Sequence, residues 1–382
     1  MLLQTTSKSP LFPIVMNLFL AFFALISLNS CNQNVDEPQI SIEQKIGQMI
    51  MVGFRGMSID DKHWIVRDIK DYNIGGVILF DYDVPNREPV RNIESPEQVR
   101  LLNNTLQKIT EKPLFVAVDQ EGGRVNRLKA RYGFPDMPSH EYIGNINHPD
   151  STRNIVNVIA NAVLHAGFNI NFAPVVDLNT NPNNPIIGKM GRSFSDDYNM
   201  VSKHSCIFIE QHRNNGVIAV PKHFPGHGST WNDSHYGMAD VTETWDEEEL
   251  IPYRYLIDNV SVDMIMSAHI MNRNWNADHP ATLSYEVMTT LLRDELGFEG
   301  VLVSDDMQMG AITEYYGLEQ AVTLAVNAGI DVLIFANNSV YDSEIVGKVV
   351  DIIKIGVEEG IIPEERIRES YNRIMKLKNE RL

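Results

Sequence analysis

Val217-Ile-Ala-Val220 runs through Pro221 into Lys222-His-Phe-Pro-Gly-His-Gly-Ser-Thr-Trp-Asn-Asp-Ser-His235. A short, unbroken apolar run is what a parallel strand buried on both faces requires. The segment after it is a loop, because Pro225, Gly226 and Gly228 oppose regular structure. That loop carries one Lys, three His and one Asp, all groups that can move a proton or hold a charge. A buried strand that ends in a mobile loop rich in such groups reads as part of an active site.

The same pattern recurs along the chain. Apolar runs occur at Met49–Phe54, Gly76–Phe80, Leu114–Val118, Ile170–Val176, Val217–Val220, Met264–Ala268, Gly300–Val303 and Asp331–Phe335. Helix-period stretches separate most of them, at Ile59–Tyr72, Pro96–Ile109, Thr152–Ala166, Asn199–Arg213, Asp246–Asn259 and Ser284–Leu296. Asp342–Gly360 and Pro363–Asn379 read as closing helices. Eight repeats of strand then helix predict an α/β fold, a single (β/α)8 barrel of the TIM type. An open doubly wound sheet is the competing arrangement, but no glycine-rich phosphate fingerprint accompanies it. Polar residues cluster at the C-terminal ends of the runs: Asp119, Asp177, Lys222 with His223, His269 and Asp305. A barrel gathers those ends on one face, whereas an open sheet spreads them along an edge.

Composition narrows the partners. The 382 residues carry 32 Lys and Arg against 50 Asp and Glu, a formal charge of -18. Phosphate backbones and anionic lipid surfaces are repelled by such a chain, so no nucleic-acid partner is expected. Residues 1–30 read as a lipoprotein-type signal peptide. Leu18–Leu28 is an apolar segment of signal-core length, too short for a confident spanning helix. Leu28-Asn-Ser-Cys31 then resembles a bacterial lipoprotein cleavage box, with Cys31 as the lipidated residue. Residues 31–40 form a polar linker and 41–382 the barrel. Membrane contact is expected through the lipid anchor only, in an extracytoplasmic setting. The other cysteine, Cys206, reads as a small hydrophobe inside a helix.

Four blocks, in order and at strand ends, carry a family resemblance: Asp119-Gln-Glu-Gly-Gly-Arg124 with Arg127, Gly191-Arg-Ser-Phe194, Lys222–His235, and Ser304-Asp-Asp-Met307. From about Ile42 onward the chain resembles glycoside hydrolase family 3, in its β-N-acetylhexosaminidase branch. The resemblance implies retaining, exo-acting hydrolysis of terminal β-linked N-acetylglucosamine through a covalent glycosyl-enzyme, without cofactor or metal. It implies Asp305 as nucleophile, His235 as acid/base and Asp233 as the partner of that His. It further implies Asp119, Arg127, Arg192, Lys222 and His223 as residues that hold the sugar. The partners are then β-linked N-acetylglucosamine-containing oligosaccharides or glycan fragments.

Each role fits its residue type. A carboxylate must attack the anomeric carbon and later leave. An imidazole titrates near neutrality, and a carboxylate beside it fixes its tautomer. A neutral His also leaves room for an anionic acceptor, so transfer to phosphate is a minor alternative. Asp306 is a rival to Asp305, but alternation along a strand lets only one face the pocket. Asp305 could otherwise cap a helix at Met307–Tyr315. Glu121 is a rival acid whose setting suggests a helix start and a supporting role. His223 and His227 are four apart, yet the intervening Pro and Gly deny them a helical zinc face. Ser229 stands where the branch usually has Asp, which predicts changed loop mobility or pH dependence. Trp231 could stack on a sugar or on its own loop. The alternatives to the hexosaminidase are a β-glucosidase of the same family and a catalytically silent sugar-binding lipoprotein.

Overall fold

The computed structural model describes residues 40–338 and 340–382, and Ile40–Leu382 form one compact unit. The signal segment, Cys31 and residues 31–39 of the linker lie outside the described residues. No helix among the described residues is long and apolar enough to cross a membrane.

All eight apolar runs become barrel strands. They are β1 (Ile50–Gly53), β2 (Gly76–Ile78), β3 (Phe115–Val118), β4 (Ile170–Asn171), β5 (Ile218–Ala219), β6 (Met264–Met266), β7 (Val301–Asp306) and β8 (Val332–Phe335). Every pairing between them is parallel, and the order β5-β4-β3-β2-β1-β8-β7-β6 follows the chain around the barrel. The last gap is closed beyond the end of β5. There Phe224 N donates to Met266 O (2.9 Å) and Ala268 N to Phe224 O (2.7 Å). The loop motif is therefore itself part of the barrel wall.

The apolar residues of the strands are buried on both faces, as continuous apolar runs demand. The first helix, Ile42–Gln48, starts at Ser41, whose hydroxyl and Gln44 form a reciprocal capping box. It packs against the closing helices Ile345–Glu358 and Glu364–Arg381. Helix limits depart from the sequence pattern in two places. The second helix starts at Trp64, not Ile59, because His63 takes the N-cap and accepts from Ile65 N. The helix expected at Met307–Tyr315 shrinks to Gly310–Thr313.

One strand breaks the alternation rule. On β7, Val303 pairs with Val332 but Asp306 pairs with Ile334, so three steps on β7 oppose two on β8. This bulge cancels the strict in-and-out alternation at Ser304–Asp306. Asp305 and Asp306 consequently line the same pocket, contrary to the expectation that only one could.

Candidate active site

The pocket at the C-terminal end of the barrel is lined by Asp119, Arg127, His235, Asp305 and Asp306, with Phe80 and Met309 among its apolar walls. Larger cavities, about 420 and 700 Å³, lie by Asp263 and Arg373 and by Trp245 and Trp275. Neither gathers the strand-end residues, so convergence of chemistry rather than size marks the site.

Asp119 stands just after β3. It receives Lys222 Nζ at Oδ1 (2.8 Å) and lies 3.8 Å from an Arg127 guanidinium nitrogen. Arg127 is held through its backbone: the buried Gln120 side chain accepts from Arg127 N (3.1 Å) and Leu128 N (2.8 Å). Its guanidinium lies over the Phe80 ring, 5.5 Å from the centroid. Its Nε is buried with no hydrogen-bond partner among the described residues.

Glu121 lies in a short antiparallel strand, Gln120–Gly122, paired with Val125–Asn126, not at a helix start. It is buried and binds Arg192 in two-pronged fashion (2.8 and 2.7 Å) together with Lys222 Nζ (2.8 Å). Burial opposes its ionisation, but the Arg192 and Lys222 charges outweigh this and hold the carboxyl below the usual range. Glu121 is thus an anion with no proton to give, and the rival-acid reading fails. Arg192, Lys222 and His223 are almost wholly buried behind the pocket.

Arg192 Nη2 stands 3.3 Å from His223 Nε2. Guanidinium only donates, so this ring nitrogen accepts and Nδ1–H is left for Asp177 Oδ2 (2.6 Å). Asp177 also accepts from His223 N (3.1 Å) and His227 N (2.8 Å). His227 bonds Thr230 Oγ1 (3.0 Å) and Ser234 Oγ (3.1 Å). Both imidazoles of the would-be zinc pair already have partners at each ring nitrogen.

The loop is half buried and half exposed. Pro221–Thr230 is buried; of Trp231–Gly237 only Ser234 is. The glycines at the hinge answer to close packing. A Cβ on Gly228 would lie 1.7 Å from Leu178 O, and one on Gly226 2.6 Å from Glu249 Cβ. Glu249 is itself buried, accepts from Leu178 N (3.2 Å), and has its carboxyl raised by burial and by Asp177. Ser229 is buried, with Thr244 Oγ1 donating to its hydroxyl at 3.4 Å.

At the loop tip, Asp233 Oδ1 accepts from His235 Nδ1 (2.7 Å) and His235 N (2.9 Å). A carboxylate only accepts, so Nδ1 carries a proton and Nε2 is the nitrogen left for chemistry. Burial works against the imidazolium, but the Asp233 bond and the Asp305 and Asp233 charges prevail and raise the His235 pKa above 6.5. The tip rests on the Gly310–Thr313 helix, where Gly310 N donates to His235 O and Ala311 N to Ser234 O, each 3.1 Å. A Cβ on Gly310 would lie 2.8 Å from His235 O. Gly310→Ala is expected to displace His235 and lower kcat about tenfold or more, with KM little changed. Steady-state kinetics beside a thermal melt checks this, and an unaltered kcat would refute it.

Asp305 does not cap a helix. Its Oδ1 accepts from Asp306 N (2.8 Å). Burial raises its pKa, but the His223, His269 and His235 imidazoles outweigh that and bring it to about 2. Asp306 accepts from Ala336 N (3.0 Å) and Gln308 N (3.1 Å), and burial lifts it to about 6. Two adjacent carboxyls in one pocket thus differ in their readiness to ionise. His269 bonds Thr282 Oγ1 (2.8 Å) and Asp306 O (3.0 Å), a bracing position.

Sequence reasoning left Asp177, Glu249 and Gly310 without roles. Asp177 stands at a strand end and was legible there. Glu249 and Gly310 had no local signal, since each matters through a distant segment.

Comparison with known proteins shows the family. The glycosyl hydrolase family 3 N-terminal domain matches residues 41–377. Beta-hexosaminidase A of Pseudoalteromonas piscicida is 30% identical over 92% of this chain, which spans 63% of that relative's length. A beta-hexosaminidase of Tolumonas auensis is 33% identical over 76% of this chain and 83% of its own. Among solved structures, a family 3 beta-N-acetylglucosaminidase from Paenibacillus superposes with TM-score 0.81 at 34% identity, covering 89% of this chain and 62% of that one.

Proposed function

The chain belongs to glycosyl hydrolase family 3, and from that premise we propose that it is an exo-acting, retaining β-N-acetylglucosaminidase. The observation that carries this reading is one pocket lined by a strongly acidic carboxyl, Asp305, and by a histidine, His235, whose far nitrogen is tied to Asp233.

Asp305 attacks the anomeric carbon while His235 Nε2–H protonates the glycosidic oxygen. The leaving sugar departs and a covalent glycosyl-enzyme remains. His235, now neutral, takes a proton from water as that water attacks the same carbon, and Asp305 leaves with inverted geometry a second time. Two inversions give retention. Asp233 orients the ring and stabilises the imidazolium that donates the proton and re-forms in the second step. Asp119 and Arg127 bind hydroxyls from within the pocket. Lys222, His223 and Arg192 hold the sugar from behind, through the charge network around Glu121. The hexosaminidase relatives favour an N-acetyl sugar as substrate. The Leu28–Cys31 box supports an extracytoplasmic, lipid-anchored setting.

The test is hydrolysis of aryl β-N-acetylglucosaminide against aryl β-glucoside. Activity confined to the N-acetyl substrate, with a retained β-anomer as first product, is the expected result. Preference for the glucoside would move the reading to β-glucosidase, and silence on both would favour a sugar-binding role.

A further inference from the structure

The proton donor fixes where the leaving group lies. If His235 Nε2 protonates the glycosidic oxygen, the departing ring sits beside the loop tip that carries His235. The two large side chains exposed on that tip are aromatic. Tyr236, next to His235, is 80% exposed, the highest value for a large apolar side chain among the described residues. Trp231, two residues before Asp233, is 63% exposed, so most of its ring is open to a ligand. The pair brackets the Asp233–His235 dyad in sequence.

The backbone that carries Tyr236 is fixed. Tyr236 N donates to Asp233 O (3.1 Å), and the Gly310–Thr313 helix start holds the carbonyls of Ser234 and His235. The buried His227 ring anchors Ser234 from below. Met309, immediately before Gly310, lines the pocket, so the tip lies at its mouth. Exposed aromatics on a held backbone are costly to leave in water and ordered at small entropic cost on binding, which is the profile of a recognition surface.

We propose that Tyr236 and Trp231 form the platform for the leaving-group ring, so that one loop both binds the leaving sugar and protonates its oxygen. The inference rests on the glycosidase reading above. Shape sets the ligand class. A β-linked hexosamine ring keeps its substituents equatorial, leaving flat C–H faces for an aromatic ring and polar edges for water or Asn232. Binding energy gathered on this remote ring can be used at the reacting carbon, so its loss lowers turnover of disaccharide as well as affinity.

The test compares N,N'-diacetylchitobiose, which has a leaving ring, with N-acetyl-β-glucosaminyl fluoride, which has none. Wild type, Tyr236→Ala, Tyr236→Phe and Trp231→Ala are measured on both, with a thermal melt for each. Tyr236→Ala and Trp231→Ala should each lower kcat/KM for the disaccharide about tenfold more than for the fluoride, the worth of one lost aromatic contact. Tyr236→Phe should keep the wild-type ratio. Equal losses on both substrates, or no loss, would overturn the platform while leaving the hydrolase reading intact. A wild-type enzyme silent on both would overturn that reading and the platform with it.

Discussion

Asp305→Ala is expected to abolish turnover, by a factor on the order of 10^4 or more, because no other group in the pocket can take its place as nucleophile. Asp306 is the apparent substitute, since the β7 bulge brings it into the same pocket. Its carboxyl, however, is committed to the backbone N–H groups of Gln308 and Ala336, and burial leaves it partly protonated near pH 6. Asp305 is instead ionised down to about pH 2 under the pull of three imidazoles. Asp306→Asn, whose amide oxygen can still accept from the backbone, should therefore retain far more activity than Asp305→Asn. Azide rescue would sharpen the contrast. In Asp305→Ala it should yield the glycosyl azide of inverted configuration, whereas in Asp306→Asn it should change nothing. Comparable losses in the two Asn variants would refute the assignment of the nucleophile.

The second large effect concerns His235. Removing it should cost about 10^2–10^4 in kcat/KM for a substrate with a poor leaving group, and much less for an activated aryl leaving group that needs no protonation. The pH dependence has a definite sign. The first step needs Asp305 ionised and His235 protonated in the free enzyme. The acid limb of kcat/KM then lies near Asp305's value of about 2, and activity is lost as pH rises through the His235 value, which stands above 6.5. Asp233→Asn removes an anion and the strongest acceptor at Nδ1. The alkaline limb should move to lower pH, and kcat should fall with it. Where hydrolysis of the glycosyl-enzyme limits kcat, the dependence reverses, because that step needs His235 neutral. An alkaline limb of kcat/KM unmoved in Asp233→Asn would show that His235 is not the proton donor.

The eight strands were legible because burial on both faces writes itself into contiguous residues, as in Val301–Val303 or Phe115–Val118. The order of the barrel came from repetition of the same short unit. The site was legible in part: Asp119, Arg127, His235 and Asp305 were named from motifs and do share one pocket. Helix starts were less so, since His63 capping Trp64–Tyr72 competes with an apolar pattern that begins at Ile59.

Alone, then, the sequence determined the barrel, its family and the strand ends at which candidate residues gather, because these depend on residue type and short-range spacing. Tertiary structure decided how those residues are charged and aimed. Glu121 is an anion because Arg192, 71 positions away, and Lys222 reach it in a buried setting where charge pairing dominates. Asp305 and Asp306 share a pocket because β7 slips by one residue against β8. The His235 loop is held because Gly310 lacks a Cβ where the loop's backbone passes. Each is a contact between segments far apart in the chain, and no local pattern encodes the distance at which such segments meet.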